Sequence, residues 1–226
     1  MLHLAGAVTQ PKNRKNFCPN NWILDCGSFG EFHLEIKEYA DQVERWCICG
    51  QLDAVVAPDY LCQPQHLRRS NKSVAEHQEA TIANYDALRQ IINKVYIMPT
   101  LQGLQKQDYI RHLKQYGDRL PHSAWVGVGS LVGRHPKTIA AILSGIKEVR
   151  QDLRLHGFGC GKRSLRYGEI SQWLWSADTM AWSLAARREK RNPDDPFEAQ
   201  RYLKEVEEMS VQKSLLPLLT TDVYRD

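Results

Sequence analysis

Four side chains with acid–base or hydrogen-bonding capacity stand just after short apolar runs. Asp25 follows Trp22-Ile23-Leu24, Asp59 follows Val55-Val56-Ala57-Pro58, Gln102 follows a run that starts at Val95, and Asp178 follows Trp173-Leu174-Trp175-Ser176-Ala177. Taken singly, Asp25 and Asp178 read equally well as caps of the next helix, and Asp59 and Gln102 as turn residues. Three carboxylates and an amide at four separate strand ends make chance a poorer account. A pair of carboxylates is what substitution at a sugar carbon needs: one attacks or steadies the anomeric carbon, the other moves the proton of the leaving group. An amide both donates and accepts, which suits the reading of a base edge.

Other chemistries fit less well. Cys47-Ile48-Cys49 is the one close cysteine pair, and neither a second pair nor a His-x-x-x-His run completes a tetrahedral metal set. No metal ligand is therefore expected, and the scattered Cys18, Cys26, Cys62 and Cys160 are expected to be buried thiols. A thiol nucleophile at Cys26 or Cys160 near His156 lacks supporting context. Neither a GxxxxGK[ST] phosphate loop nor a GxSxG elbow is present. The chemistry outlined above calls for no cofactor.

The elements that must hold these residues alternate. Strand candidates lie at Trp22-Ile23-Leu24, Ala54-Val55-Val56-Ala57, Val95-Tyr96-Ile97-Met98, Trp125-Val126-Gly127-Val128, Leu153-Arg154-Leu155-His156 and Trp173-Leu174-Trp175. Between them, apolar residues recur at helical spacing, as at Ala80, Ala83, Ala87 and Ile91 or at Ile139, Ile142, Leu143 and Ile146. Such alternation predicts parallel strands joined by right-handed crossovers. Most strand candidates end near a polar residue or glycine: Asp25, Asp59, Gln102, Gly129, Gly157 and Asp178. A (β/α) barrel builds its site at the carboxyl ends of several strands, so the expected fold is an α/β, TIM-type (β/α)8 barrel, trimmed because only six or seven strands are legible. No linker divides residues 1–226, which are expected to form one catalytic domain.

The chain has 226 residues, a net charge of +4 and a pI near 8.7. Its basic residues cluster at 11–15, at Arg68-Arg69, at Lys162-Arg163 with Arg166, and at Arg187-Arg188 with Lys190-Arg191. These are candidate phosphate contacts, or equally the solvated faces of helices. No apolar run approaches the roughly 20 residues that span a bilayer, and the first residues lack the order of a signal peptide. The expectation is a cytoplasmic protein, bacterial or in a host cytoplasm if phage-encoded, with no membrane partner.

In order along the chain, these segments resemble the queuine and archaeosine tRNA-guanine transglycosylases, and more closely the DpdA-type enzymes that insert 7-deazaguanines into bacterial and phage DNA. The resemblance runs from about Trp22 to Arg188 through short motifs. Asp25-Cys26-Gly27-Ser28-Phe29 looks like the family's Asp-Ser-Gly-Gly-Tyr, which implies that Asp25 is the general acid/base and that Phe29 stacks on the base. Val56-Ala57-Pro58-Asp59 and Leu101-Gln102-Gly103 are similar to the segments whose Asp and Gln read guanine. Val126-Gly127-Val128-Gly129-Ser130-Leu131 resembles the glycine loop that closes the base pocket, placing Gly129 and Ser130 there. Leu155-His156-Gly157-Phe158-Gly159 is similar to Leu-Met-Gly-Val-Gly, which implies His156 as the second stacking face beside Gly157. Ser176-Ala177-Asp178 corresponds to the strand end that carries the nucleophile.

The departures are informative. Where the tRNA enzymes have a second Asp three residues on, this chain has Ala181, so Asp178 is the available carboxylate. No cysteine follows Cys160, so the C-terminal zinc subdomain of the tRNA enzymes is not expected here. Both lean toward DNA. The resemblance thus implies a pentosyltransferase that exchanges guanine in DNA for a 7-deazaguanine through a covalent aspartyl–sugar intermediate. Its partners would be DNA, the free 7-deazaguanine base, and an accessory protein if the duplex must be opened. The nucleic-acid backbone would meet Arg68, Arg69, Lys162, Arg163, Arg187 and Arg188. The alternatives are a tRNA-guanine transglycosylase, hydrolysis without reinsertion, and a non-catalytic nucleic-acid-binding barrel subunit.

Overall fold

The computed structural model describes residues 3–4, 6–9, 20–28 and 35–220, with side chains described for 20–28 and 35–209. Parallel strands alternate with helices in the order β1 (His3–Leu4), β2 (Gly6–Thr9), β3 (Trp22–Asp25), α1 (Ile36–Trp46), β4 (Leu52–Val56), α2 (Pro64–Ser70), α3 (Val74–Ile91), β5 (Tyr96–Met98) and β6 (Thr100–Leu101). The second half continues with α4 (Lys106–Tyr116), β7 (Trp125–Val128), α5 (Pro136–Val149), β8 (Arg154–Gly157), α6 (Lys162–Leu165), α7 (Gly168–Trp173), β9 (Leu174–Ala177), α8 (Ala181–Arg188) and α9 (Pro196–Thr220).

All described strand pairs are parallel and fall into two sheets, β1-β9-β8-β7-β6 and β2-β3-β4-β5. An α/β fold was expected and is observed; a complete eight-unit barrel is not displayed by the described residues. One residue separates β1 from β2, and Pro99 alone separates β5 from β6. Proline has no N–H to give a ladder, so a break falls naturally there. Its carbonyl still accepts from Gly127 N at 2.9 Å, which ties β7 to the junction.

Each of the six strand candidates is a strand in the structure. The helix that the spacing predicts over 73–94 is α3, whose start is fixed by a reciprocal cap: Ser73 Oγ accepts from Glu76 N at 3.3 Å, and Glu76 Oε2 accepts from Ser73 N at 2.8 Å. The strands are apolar on both faces. Ile23, Leu24, Val55, Val56, Val126 and Leu155 are all buried, as sheets covered by helices require. No helix among the described residues is long and apolar enough to cross a membrane.

Register places the site. Thr100, Gly127, His156 and Ser176 are successive partners across β6, β7, β8 and β9. Side chains alternate faces along a strand, so two residues on the same face turns up again. The row one step toward the carboxyl ends is Gln102, Gly129, Phe158 and Asp178. Four of the residues singled out from the sequence thus descend from one register.

Candidate active site

Two polar clusters sit at the carboxyl ends of the strands. The first gathers around Asp59, in the loop between β4 and α2. Its Oδ2 accepts from the Gln102 amide, and its Oδ1 from the Cys26 thiol at 3.4 Å. Ser28 Oγ lies 3.0 Å from Cys26 Sγ and accepts from Asp59 N at 3.4 Å. Ser130 Oγ donates to Gln102 Oε1 at 2.6 Å and accepts from Cys62 N at 2.8 Å. Asp59, Gln102 and Ser130 are all buried, and they make the continuous chain Cys26–Asp59–Gln102–Ser130–Cys62.

Gln102 is fixed from every side. Its backbone N–H donates to His112 Nδ1 at 2.9 Å, and its backbone carbonyl accepts from Gln78 Nε2 at 2.7 Å. Burial holds His112 down at about 3, so the ring is neutral and free to accept. Ser130 has φ +54°, a left-handed conformation rare for a residue with a side chain. Arg134 secures that turn by donating to Ser130 O at 2.6 Å and to Leu104 O and Gly103 O at 2.7 and 3.0 Å.

Gly129 belongs to this cluster in a different way from that expected. Its N–H donates to Leu101 O at 3.0 Å, and its carbonyl accepts from Tyr109 Oη at 2.8 Å, so its backbone is engaged inside the fold. What it supplies is space: a Cβ there would lie 2.1 Å from Gln102 Nε2. The resemblance places Gly129 in a loop that closes a base pocket; in the structure its N–H is taken by Leu101 O, and its contribution is the room that it leaves for Gln102.

Burial pushes the Asp59 carboxyl up, partly offset by hydrogen bonds from Ser28, Gln102 and Cys26. The Cys26 thiol is pushed well up by burial and by the nearby carboxylates of Asp59 and Asp25. Cys160 is pushed up to about 12 by burial, with Asp178 adding to it. Neither sulfur is poised as a thiolate, which counts against the thiol-nucleophile alternative. Cys26, Cys47, Cys49, Cys62 and Cys160 are free, and no group of three metal-ligating side chains occurs among the described residues.

Asp25 ends β3, half-buried, with Oδ1 accepting from Gly27 N at 3.4 Å. It does not cap α1, whose N-cap is Glu35. Asp25 and Asp59 both raise the Cys26 thiol through their charge, and Asp59 also accepts a hydrogen bond from it.

The second cluster gathers around Asp178, directly after β9. Its Oδ1 accepts from Gly159 N at 3.0 Å and lies 3.3 Å from His156 Nε2. Among the described residues, no hydrogen bond falls on Oδ2, and the side chain is 20% exposed. The helix-cap alternative is excluded, because the N-cap of α8 is Met180. His156 departs from expectation. It is 0% exposed, edge-on to Phe158 with centroids 4.6 Å apart, and Nδ1 lies 2.9 Å from Ser176 Oγ. A ring enclosed in this way has no face to offer a base, so the stacking role does not fall on it. The half-buried Phe158 lies over Gly127, where a Cβ would come within 2.4 Å of the ring. Gly157 abuts Cys160 and Leu174, and its carbonyl accepts from Asp178 N at 3.4 Å.

Phe29 lies outside the described residues, as do 11–15. Arg68 and Arg69 are exposed in α2, directly beyond the Asp59 loop, and Arg163 is exposed in α6, directly beyond the Phe158–Gly161 loop. Lys162 is committed elsewhere: it pairs with Glu205 and sits 4.2 Å over the Tyr202 ring, both on α9. It is therefore not an open phosphate contact. Arg187 and Arg188 are exposed in the last turn of α8, about 10 Å of helix rise beyond its first residue.

Sequence reasoning missed Ser28, Ser176 and the Gly159 amide. The one available signal for Ser176 was its offset of two from Asp178, which sets both on one face of the strand. No match was found among curated proteins. The sequence profile of one family, described as "DpdA: DeoxyPurine in DNA protein A", covers residues 12–199, which takes in every site residue named above. With most of its length matched, the chain belongs to the DpdA family, whose description ties it to purines in DNA.

Proposed function

We propose that this protein is a base-exchange transglycosylase that replaces guanine in DNA with a 7-deazaguanine. We read its two sheets as one ring, closed where β5 meets β6 and where β1 meets β2, so that Asp25 and Asp178 stand on either side of the β1–β2 strand at one rim. Family membership supports DNA as the substrate. The observation that carries the chemistry is the state of Asp178: a strand-end carboxylate held by one oxygen, with the other lacking any partner among the described residues. Held at Oδ1 and open at Oδ2, the group is oriented and still able to form a bond.

In this reading the target nucleotide leaves the stack, because the anomeric carbon must be approached from the face opposite the base. Asp59, Gln102 and Ser130 read the guanine edge by giving up hydrogen bonds that they make to one another in the free protein, Phe158 supplies a stacking surface in place of His156, and Phe29 keeps the stacking role that the resemblance implies. Asp178 attacks the anomeric carbon, the bond from sugar to base nitrogen breaks, and guanine departs with a proton from Asp25. The incoming 7-deazaguanine gives its ring proton to Asp25 and displaces the aspartyl ester. Two inversions retain the configuration. Arg68, Arg69, Arg163, Arg187 and Arg188 meet backbone phosphates.

The test incubates the purified protein with DNA, or with tRNA, and a free 7-deazaguanine, followed by mass spectrometry of the released nucleosides. Incorporation into DNA with loss of guanine is expected. Incorporation into tRNA alone would move the substrate, abasic sites without insertion would point to hydrolysis, and no change in either nucleic acid would leave a binding subunit.

A further inference from the structure

His156 is buried more deeply than any base-stacking residue should be, and its neighbours give it another task. Trp125 Nε1 donates to Ser176 Oγ at 2.9 Å, Ser176 Oγ lies 2.9 Å from His156 Nδ1, and His156 Nε2 faces Asp178 Oδ1 at 3.3 Å. Histidine and serine are register partners on β8 and β9, so their separation is set by the ladder rather than by flexible loops.

The proton directions follow from chemistry. An indole N–H only donates, so one lone pair of Ser176 is taken by Trp125. The hydroxyl has a single proton, and His156 Nδ1 is its remaining neighbour among the described residues. If the hydroxyl donates there, the neutral imidazole carries its own proton on Nε2, aimed at the carboxylate. The opposite tautomer would set a nitrogen lone pair against Asp178 and strand the serine proton. Both faults would sit at positions 0% and 1% exposed, where unpaired polar groups are costly. Nε2 has no aligned hydrogen bond in this structure, which leaves Asp178 as the acceptor in front of it.

We propose that Trp125, Ser176 and His156 form a relay that positions Asp178, so that Oδ1 is held by the His156 Nε2–H and the Gly159 amide while Oδ2 is the oxygen that bonds to the sugar. The three relay residues touch no substrate atom; they act through Asp178. This assignment rests on the reading of Asp178 as nucleophile and adds which of its oxygens reacts and what fixes the other.

Two measurements test it, and they fail independently. The first uses ¹⁵N-labelled histidine at a pH where the ring is neutral, and reads the tautomer from long-range proton–nitrogen couplings in the protein alone. A dominant Nε2–H signal for His156 is expected, with Ser176→Ala mixing the tautomers; an Nδ1–H signal in the wild type overturns the relay. This experiment needs no turnover, so it decides the relay even if the wild type exchanges no base, an outcome that would defeat the functional reading instead. The second compares His156→Phe with His156→Gln, whose amide nitrogen can replace Nε2 as donor. With folding verified by circular dichroism, His156→Phe should lower kcat roughly 10²-fold with KM for DNA held within about twofold, as expected for a slightly misplaced nucleophile. His156→Gln should recover most of the loss. An unchanged kcat in His156→Phe, a change confined to KM, or equal loss in both variants overturns the relay.

Discussion

The two clusters differ in how they treat a carboxylate. Asp59 is buried and has both oxygens engaged, one by the Gln102 amide and one by the Cys26 thiol. Asp178 is partly exposed and has one oxygen engaged by Gly159 while His156 faces the same atom. A carboxylate with both oxygens committed has fixed geometry and weak nucleophilicity, which suits recognition. One gripped by a single oxygen is oriented yet still able to form a bond, which suits catalysis. The same side chain is thus given two tasks by its partners, and the difference lies in what surrounds the group rather than in the group itself.

That contrast can be broken most sharply at Asp178. Asp178→Asn should cut exchange of labelled guanine by about 10⁴-fold or more and give no covalent adduct on denaturing gels, as expected for loss of a nucleophile. Normal exchange would remove the distinction altogether. Asp25→Asn should lower turnover about 10²- to 10³-fold, the scale of a lost general acid/base, while DNA binding measured by filter retention is unchanged.

On the recognition side the expected effects are smaller. Gly129→Ala forces a Cβ into the Gln102 side-chain amide, which Asp59 and Ser130 hold at both ends, so its retreat breaks those bonds. A loss of about 1–3 kcal/mol in denaturant unfolding is expected, with a raised KM for the free base. Unaltered stability would show that Gln102 is less rigid than its hydrogen bonds imply.

Asp59 gives a test by pH. Its carboxyl sits above the ordinary value of 3.8 in the folded protein, chiefly through burial, so the folded state holds the proton more tightly than the unfolded chain. This group therefore favours folding at acid pH, and its contribution declines as pH rises from 3.8 toward the raised folded value. Asp59→Asn should flatten that part of the stability profile, and guanine binding should strengthen in the wild type as the carboxylate forms. A profile that is identical in the variant would place the effect elsewhere. The smallest effect concerns the rim: replacing Arg68 or Arg163 with Gln should reduce the salt dependence of DNA binding by a slope of about 1 each, whereas Lys162→Gln should leave it unchanged because that cation is already paired.

Much of this was legible in the sequence, though unevenly. The strands at 22–25, 52–56, 96–98, 125–128, 154–157 and 174–177 stood out because they are short, apolar and bounded by polar or glycine residues. The strands at 3–4 and 6–9 did not, since Leu-Ala-Gly-Ala-Val is built mostly of small residues with weak strand preference. Gln102, Asp59 and Ser130 could be read as a recognition group, and the structure brings them into contact. His156 could not be read correctly, because a histidine next to a glycine at a strand end looks the same whether its ring is enclosed or open.

The sequence by itself determined the alternation of elements, the positions of the strand ends and the presence of carboxylates at three of them, because those depend on local periodicity and on residue type. Only the tertiary structure decided which partners each carboxylate meets. Register alone brought Ser176 beside His156 and, one step along, Gln102 beside Gly129. Contacts between residues tens of positions apart leave no local trace in the chain, so the division of labour between Asp59 and Asp178 emerges only once the strands are side by side.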